Sequence, residues 1–500
     1  MKKLKYILFL AIIIATTACN DVFDSLDVRN ENQPNIEDLY TPEEFYALLK
    51  NGYNTWYNGA IAASPSIGFA NANLFATGTP GWGSGPLWQV PRQPLFNDEH
   101  PDPVIVINFG AWYNFYSGIG TAVKLSQILN DPEYELMLDG IDYTQRAKAH
   151  VAIIQALLYG NIALLYDKAY LFTDEHDALT FDFVANTKSY DEVMDFAISK
   201  LDEAIELIEN DAVDADYQTV IPGVTFNKQT LAQFANSMAA RFLVSSARTP
   251  QENETIDWAS VETYASKGIQ QDFNVLYEEG WRGKVMTRDA GANYLGLYNW
   301  GWIRANQWLI NKMAPEDPAA QHPWPEGVNR LGEVTNCPDA RLGKYFKWDE
   351  NSDQWWGWGR VGRPGYGYFI RCEYRYWRYY DVIDAGDGYV GHMLKAENDL
   401  YLAEALLRQS KSGAAELINN TRVVVGELAP ATDSDPDLMD KLFYERYVEC
   451  DLVWAHLGYF DKRRQGQLLP GTAYHFPIPA PELYRNGQAV YTFGGVGNEM

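Results

Sequence analysis

Apolar residues recur at three- and four-residue spacing along most of the chain, the periodicity of amphipathic helices. In "SYDEVMDFAISKLDEAIELIE" (189–209), Val193, Ala197, Leu201, Ala204, Ile205 and Ile208 share one face, and Ser189 with Glu192 forms a capping box at its start. "TPEEFYALLKNGYNTWYNG" opens in the same way, with Thr41 as N-cap, Pro42 at the first helical position and Glu44 closing the box. "TQRAKAHVAIIQALLYGNIALLYD" (144–167) is a long apolar helix pattern, and further helices are predicted over 227–248, 257–269, 392–409, 413–425 and 437–460. Small residues such as Ala235, Ala239 and Ala240, or Ala403 and Ala405, allow close helix approach. The pairs look like tetratricopeptide-type hairpins, but the 34-residue period is not kept, so a plain helical domain fits the periodicity as well.

Two stretches break the helical pattern. Residues 59–110 and 271–391 are rich in Gly, Pro, Trp and Tyr and read as long loops, where function tends to sit. Within the second, "YFIRCEYRYWRYY" (368–380) alternates, with Tyr368, Ile370, Cys372, Tyr374 and Tyr376 on one face and Arg371, Glu373 and Arg375 on the other. That is the signature of a half-buried strand.

The chain has 500 residues, 47% hydrophobic, 21% charged and 14% aromatic, with a formal charge of −26. Nucleic acid and anionic membrane both demand basic surface, so neither is expected as a partner. Lys2, Lys3 and Lys5 precede an apolar run, Tyr6–Ala15, that is too short to span a bilayer. Small residues 16–18 and then Cys19 follow, an order similar to a bacterial lipobox, in which the cysteine becomes the lipidated N-terminus. Several acyl chains on one cysteine make a stable anchor. Residues 1–18 are thus expected to be a signal peptide, 19–40 a tether, and 41–500 one domain whose helical scaffold covers about 41–58, 111–270 and 392–466. Removing the leader takes the formal charge from −26 to −29, because it carries three lysines. Cys337, Cys372 and Cys450 remain, compatible with one disulfide or with three free thiols.

Motifs for chemistry are missing. "GWGRVG" (357–362) fits the dinucleotide pattern, but Arg363-Pro364-Gly365 follows where a helix should open. "GWGSG" (81–85) has its serine in the wrong place for a nucleophile elbow. "DEHD" (174–177) reads as a solvated turn rather than a metal site, and no cofactor or metal is expected. With 66 acidic residues, no carboxylate pair of glycosidase type stands out.

The segments "DLYLAEALLRQSKSGAAELINNTRVVVGEL" (399–428), "YERYVECDLVWAHLGYFDKRRQG" (444–466) and "HFPIPAPELYRNG" (475–487), with the helix at 144–167, together resemble the SusD/RagB family of Bacteroidetes outer-membrane nutrient-binding lipoproteins. Tyr447 stands where a second arginine is common after Glu445-Arg446, a departure at a scaffold position. The resemblance implies a mainly α, SusD-like fold with four tetratricopeptide-like units and a loop-rich variable half containing short strands. It also implies a non-catalytic lipoprotein at the cell surface, lipid-anchored in the outer membrane, that captures glycan and delivers it to a TonB-dependent, SusC-like transporter. Peptide or glycopeptide capture by the same architecture is the alternative, and a secreted helical glycosidase or lyase is a third reading.

Glycan capture would explain why ten of the sixteen tryptophans fall within 281–377. Sugars present flat C–H faces ringed by hydroxyls, which indoles and nearby polar groups match. In "QWWGWGRVGRPGYGYF" (354–369), three exposed indoles would show about 450–750 Å² of apolar surface, more than a typical monomer leaves idle. The candidate platforms are Trp82, Trp88, Trp281, Trp300, Trp302, Trp355, Trp356 and Trp358. Polar partners are Asn71, Asn73, Gln89, Arg92, Arg304, Asn306 and Arg360. Each tryptophan has a competing reading as part of a small core beneath the loops.

Overall fold

The structure is a computed structural model that describes residues 41–62, 75–77, 97, 103–278, 281, 303–322, 332–348, 372–385, 387–450 and 457–491. Two compact units divide the chain, Met1–Ala47 and Leu48–Met500. In the first, Thr41 donates to the Glu44 carboxylate at 2.8 Å and accepts from the Glu44 amide, the capping box that starts helix α1, Pro42–Tyr57.

The second unit is mainly α. In chain order its principal helices are α2 (Pro103–Leu129), α3 (Thr144–Leu165), α4 (Tyr190–Glu209), α5 (Lys228–Ser246) and α6 (Trp258–Ser266), then α7 (Gln307–Met313), α8 (Lys395–Arg408), α9 (Ala414–Arg422), α10 (Leu438–Glu445), α11 (Leu457–Arg464) and α12 (Ala480–Arg485), with short helical turns at Pro250–Glu254, Arg341–Tyr345 and Tyr380–Ala385. Neighbours in the chain are mostly neighbours in space. α2 packs on α3, α3 on α4, α4 on α5, α5 on α6, α6 on α8, α8 on α9 and α9 on α10. That ladder is the arrangement expected of stacked helical hairpins.

α3 is the central helix. It is long and apolar enough to cross a membrane by length and composition, yet its residues from Ala149 to Gly160 are all buried inside the fold. Gly160 lets α5 approach it: a Cβ there would lie 2.2 Å from the Phe242 ring. α4 presents the predicted face, with Val193, Ala197, Leu201, Ala204 and Ile208 buried. The Glu192 carboxylate accepts from both the Ser189 amide, at 3.0 Å, and its hydroxyl, at 2.8 Å.

The charged run "DKRR" (461–464) is buried throughout. Helix C-termini leave carbonyls unpaired, and Arg463 donates to Leu164 O in the last turn of α3 and to Ser245 O in the last turn of α5. Arg464 makes a two-pronged pair with Glu404, at 2.7 and 2.6 Å, and Arg446 pairs with Asp461 at 2.6 Å. These ion pairs clamp α8, α11 and the turn after α10 together.

Several boundaries differ from the sequence expectation. α2 begins at Pro103, inside a stretch read as loop. His392 and Met393 belong to the strand Tyr389–Met393, which pairs with Phe273–Leu276, so α8 starts only at Lys395. Sheet partners distant in sequence override the local helical pattern there. α10 ends at Glu445, and a π-helical turn, Arg446–Cys450, follows it. Of the strand expected over 368–380, Tyr374–Tyr376 forms, paired with Phe346–Trp348, while Tyr380 opens a short helix, Tyr380–Ala385. Glu373, assigned to its polar face, is nevertheless buried at 2% exposure, because charged residues can enter this interior where partners exist. Cys337, Cys372 and Cys450 are free thiols. In the 174–177 turn, Asp174 accepts from Ser126 and Asn130, which fixes the loop against α2.

Candidate ligand-binding cleft

A cleft of about 480 Å³ opens between α7 and α10. Trp308, Leu309, Lys312 and Met313 of α7 line one wall; Phe443, Tyr444 and Tyr447 line the other. Gln465 and Gln467 come from the segment after α11, and Arg422, Asp437, Asp440 and Lys441 also border it.

α7 is short, and its start is set by one residue. Asn306 is fully buried, has extended backbone, and accepts the Trp308 amide through its side chain at 2.9 Å. That cap places Trp308 in the first turn, half-buried, and Lys312 one turn later on the same side. On the other wall, the π-helical turn widens the helix just where Tyr447 must face the cleft. The rings of Trp308 and Tyr447 meet edge to face, with centroids 5.8 Å apart at 68°. Phe443 stacks behind Tyr447 at 6.2 Å and 22°. The buried Lys462 ammonium sits 3.5 Å from the Trp308 centroid and 4.8 Å from that of Tyr447. Gln465 Nε2 donates to the Tyr447 hydroxyl at 3.1 Å.

Tyr444 is held from behind. Its hydroxyl donates to Asp339, which also binds Arg341 at 2.8 Å, and Arg341 pairs with Glu445 at 2.6 Å. Burial, reinforced by the Asp339 charge, raises the Tyr444 hydroxyl well above the ordinary phenol range, so it stays a donor. Burial also raises the Glu445 carboxyl, against the pull of Arg341. At the rim, Lys441 bridges Asp435 at 2.6 Å and Asp437 at 2.9 Å.

This arrangement suits binding. Two aromatic rings at a fixed corner offer flat apolar surface, with amide and hydroxyl groups beside them to meet polar edges. Among the described residues the lining holds no serine, cysteine or histidine. Asp437 is lowered by Lys441, the opposite of what a general acid in glycoside hydrolysis requires.

Of the sequence candidates, Trp281 is described: it is buried and packs on Tyr57, centroids 5.2 Å apart. Asn306 turns out to cap α7 rather than face a ligand. Asn73, Trp82, Trp88, Arg92, Trp300, Trp302, Trp355, Trp356, Trp358, Arg360 and Cys19 lie outside the described residues. Trp308, Tyr444 and Tyr447 were not selected by sequence reasoning. The one local signal was Tyr447 itself, the departure from the expected arginine.

The fold places the chain among known structures. A SusD-like protein from Bacteroides fragilis matches with a TM-score of 0.59 at 16% identity, over 92% of this chain and 98% of that one. The chain has the SusD-like fold. A SusD homolog from Bacteroides thetaiotaomicron matches over 93% of this chain and the whole of that one, at 12% identity and a TM-score of 0.56. A SusD-like carbohydrate-binding protein, also from Bacteroides fragilis, matches over 89% and 91% at 14% identity and a TM-score of 0.56. No family model matches the sequence. No curated protein matches it either. With the SusD-like fold extending over nine-tenths of the chain, the cleft belongs to the fold's own C-terminal half.

Proposed function

We propose that this chain is a member of the SusD/RagB family: a cell-surface lipoprotein, anchored through Cys19, that captures glycan and passes it to a TonB-dependent outer-membrane transporter. It does not turn the glycan over. The observation that carries the reading is the end-to-end correspondence of fold with SusD-like proteins, one of which is a carbohydrate-binding protein. The aromatic cleft supports it, since rigid rings with polar edges are what sugar capture needs. The tryptophans of 354–369, with Trp82, Trp88, Trp300 and Trp302, supply further platform in this reading, and Asn73, Arg92 and Arg360 supply polar edges.

Titration of the purified protein with a polysaccharide panel, followed by assay for new reducing ends, tests it. Binding of at least one glycan is expected, with Kd on the order of micromolar to millimolar, and no product. Singly replacing Trp355, Trp356 or Trp358 by Ala should weaken binding in at least one case while thermal stability holds. Sustained product release would move the protein to the enzyme class.

A further inference from the structure

The charges around the cleft are unevenly placed. On α10, Lys441 is taken up by Asp435 and Asp437. Arg422 donates to Ala429 O at 2.8 Å and faces Glu445 at 3.8 Å. Lys312 differs. It is exposed, its ammonium lies 5.4 Å from the Trp308 centroid, and no carboxylate pairs with it among the described residues. The carboxylates of the rim, Asp437 and Asp440, are at the N-cap and in the first turn of α10. Tyr447 is about two turns further on, roughly 10 Å at 1.5 Å per residue. A cation thus stands at the aromatic corner, and the anions stand at the far end.

His322, which feels the charges of both Lys462 and Lys312, adds no charge there. Burial, followed by Lys462 and Lys312, lowers His322 below the ordinary range, so it is neutral at pH 7. The Lys462 ammonium already lies over the Trp308 ring, 3.5 Å from its centroid.

We propose that the sugar seated against Trp308 and Tyr447 carries a carboxylate, which Lys312 binds: the ligand class is a uronic-acid-containing glycan. This rests on the glycan reading above. Oligosaccharides of galacturonic, glucuronic and mannuronic acid, each with its methyl ester, and a neutral panel serve as probes for calorimetry on the wild type, Lys312→Met and Trp308→Ala. Expected is an acid form that binds about tenfold tighter than its ester at low salt, an advantage that shrinks at high salt and is lost in Lys312→Met. Trp308→Ala should weaken both forms. If esters or neutral glycans bind as tightly as acids, or Lys312→Met keeps the preference, the uronate inference falls and glycan capture stands. If no glycan of either kind binds, the glycan reading falls with it.

Discussion

The indole of Trp308 and the phenol ring of Tyr447 meet edge to face, centroids 5.8 Å apart, and the buried ammonium of Lys462 lies against both. An edge-to-face pair contributes roughly 0.5–1.5 kcal/mol beyond its buried area. Trp308 is half-buried and its cleft side faces solvent. Trp308→Ala should therefore cost little stability, about 1–2 kcal/mol, while lowering glycan affinity at least tenfold. Calorimetric melting and titration on the same variant check this. A large fall in melting temperature with unchanged binding would make the corner a packing element.

Glu404 and Arg464 are both fully buried and bound face to face at 2.6 Å. Burial raises the Glu404 carboxyl, but Arg464 outweighs it and holds the group below the ordinary range. Removing one partner strands the other charge, at a cost of about 3–5 kcal/mol. Arg464→Met should therefore shift the denaturant midpoint strongly. The double variant Glu404→Gln/Arg464→Met should be less destabilised than Arg464→Met alone. Equal or greater loss in the double variant would contradict the stranded-charge argument.

Burial, with Arg248 and Arg463 close by, pushes the His475 imidazole down to about 3. His392 and His322 are lowered in the same direction, burial leading in both. The folded state keeps these rings neutral, whereas the unfolded chain protonates them below about pH 6.5. The unfolded state then binds more protons, so stability is full above pH 6.5 and falls as the pH drops toward 3. Melting temperature should decline between pH 7 and pH 5, before most carboxylates titrate. His475→Gln should flatten part of that slope. A melting temperature constant across this range would refute it.

Cys19→Ala should release the protein from the outer-membrane fraction. The order of basic, apolar and small residues before the cysteine motivates this. Cell fractionation with immunodetection reads it. Retention at wild-type level would remove the lipid anchor from the proposed function.

Much of the helical frame was readable from local pattern. α4 falls where spacing and its capping box put it, and α5 and α6 fall within the stretches 227–248 and 257–269 that spacing marked, with Asn227 and Asp257 as their caps. These helices bury a regular stripe, so each leaves a periodic trace of its own. α7 leaves none, because seven residues make barely two turns and its start depends on Asn306. The cleft was less legible still. Trp308 and Lys312 are one helical turn apart, but nothing local says that Tyr447 will stand opposite.

The sequence by itself determined the helical class, the order of the scaffold helices α3–α6 and α8–α10, and the resemblance to SusD-like proteins. Periodicity, caps and short motifs are properties of neighbouring residues. Only the tertiary structure decided that "DKRR" would be buried, that Arg463 would close the ends of α3 and α5, and that Lys462 would sit against Trp308 and Tyr447. A charged run looks the same in sequence whether water or helix carbonyls surround it. The difference arises when helices from distant parts of the chain pack and present unpaired carbonyls, carboxylates and aromatic faces to the same arginines and lysine.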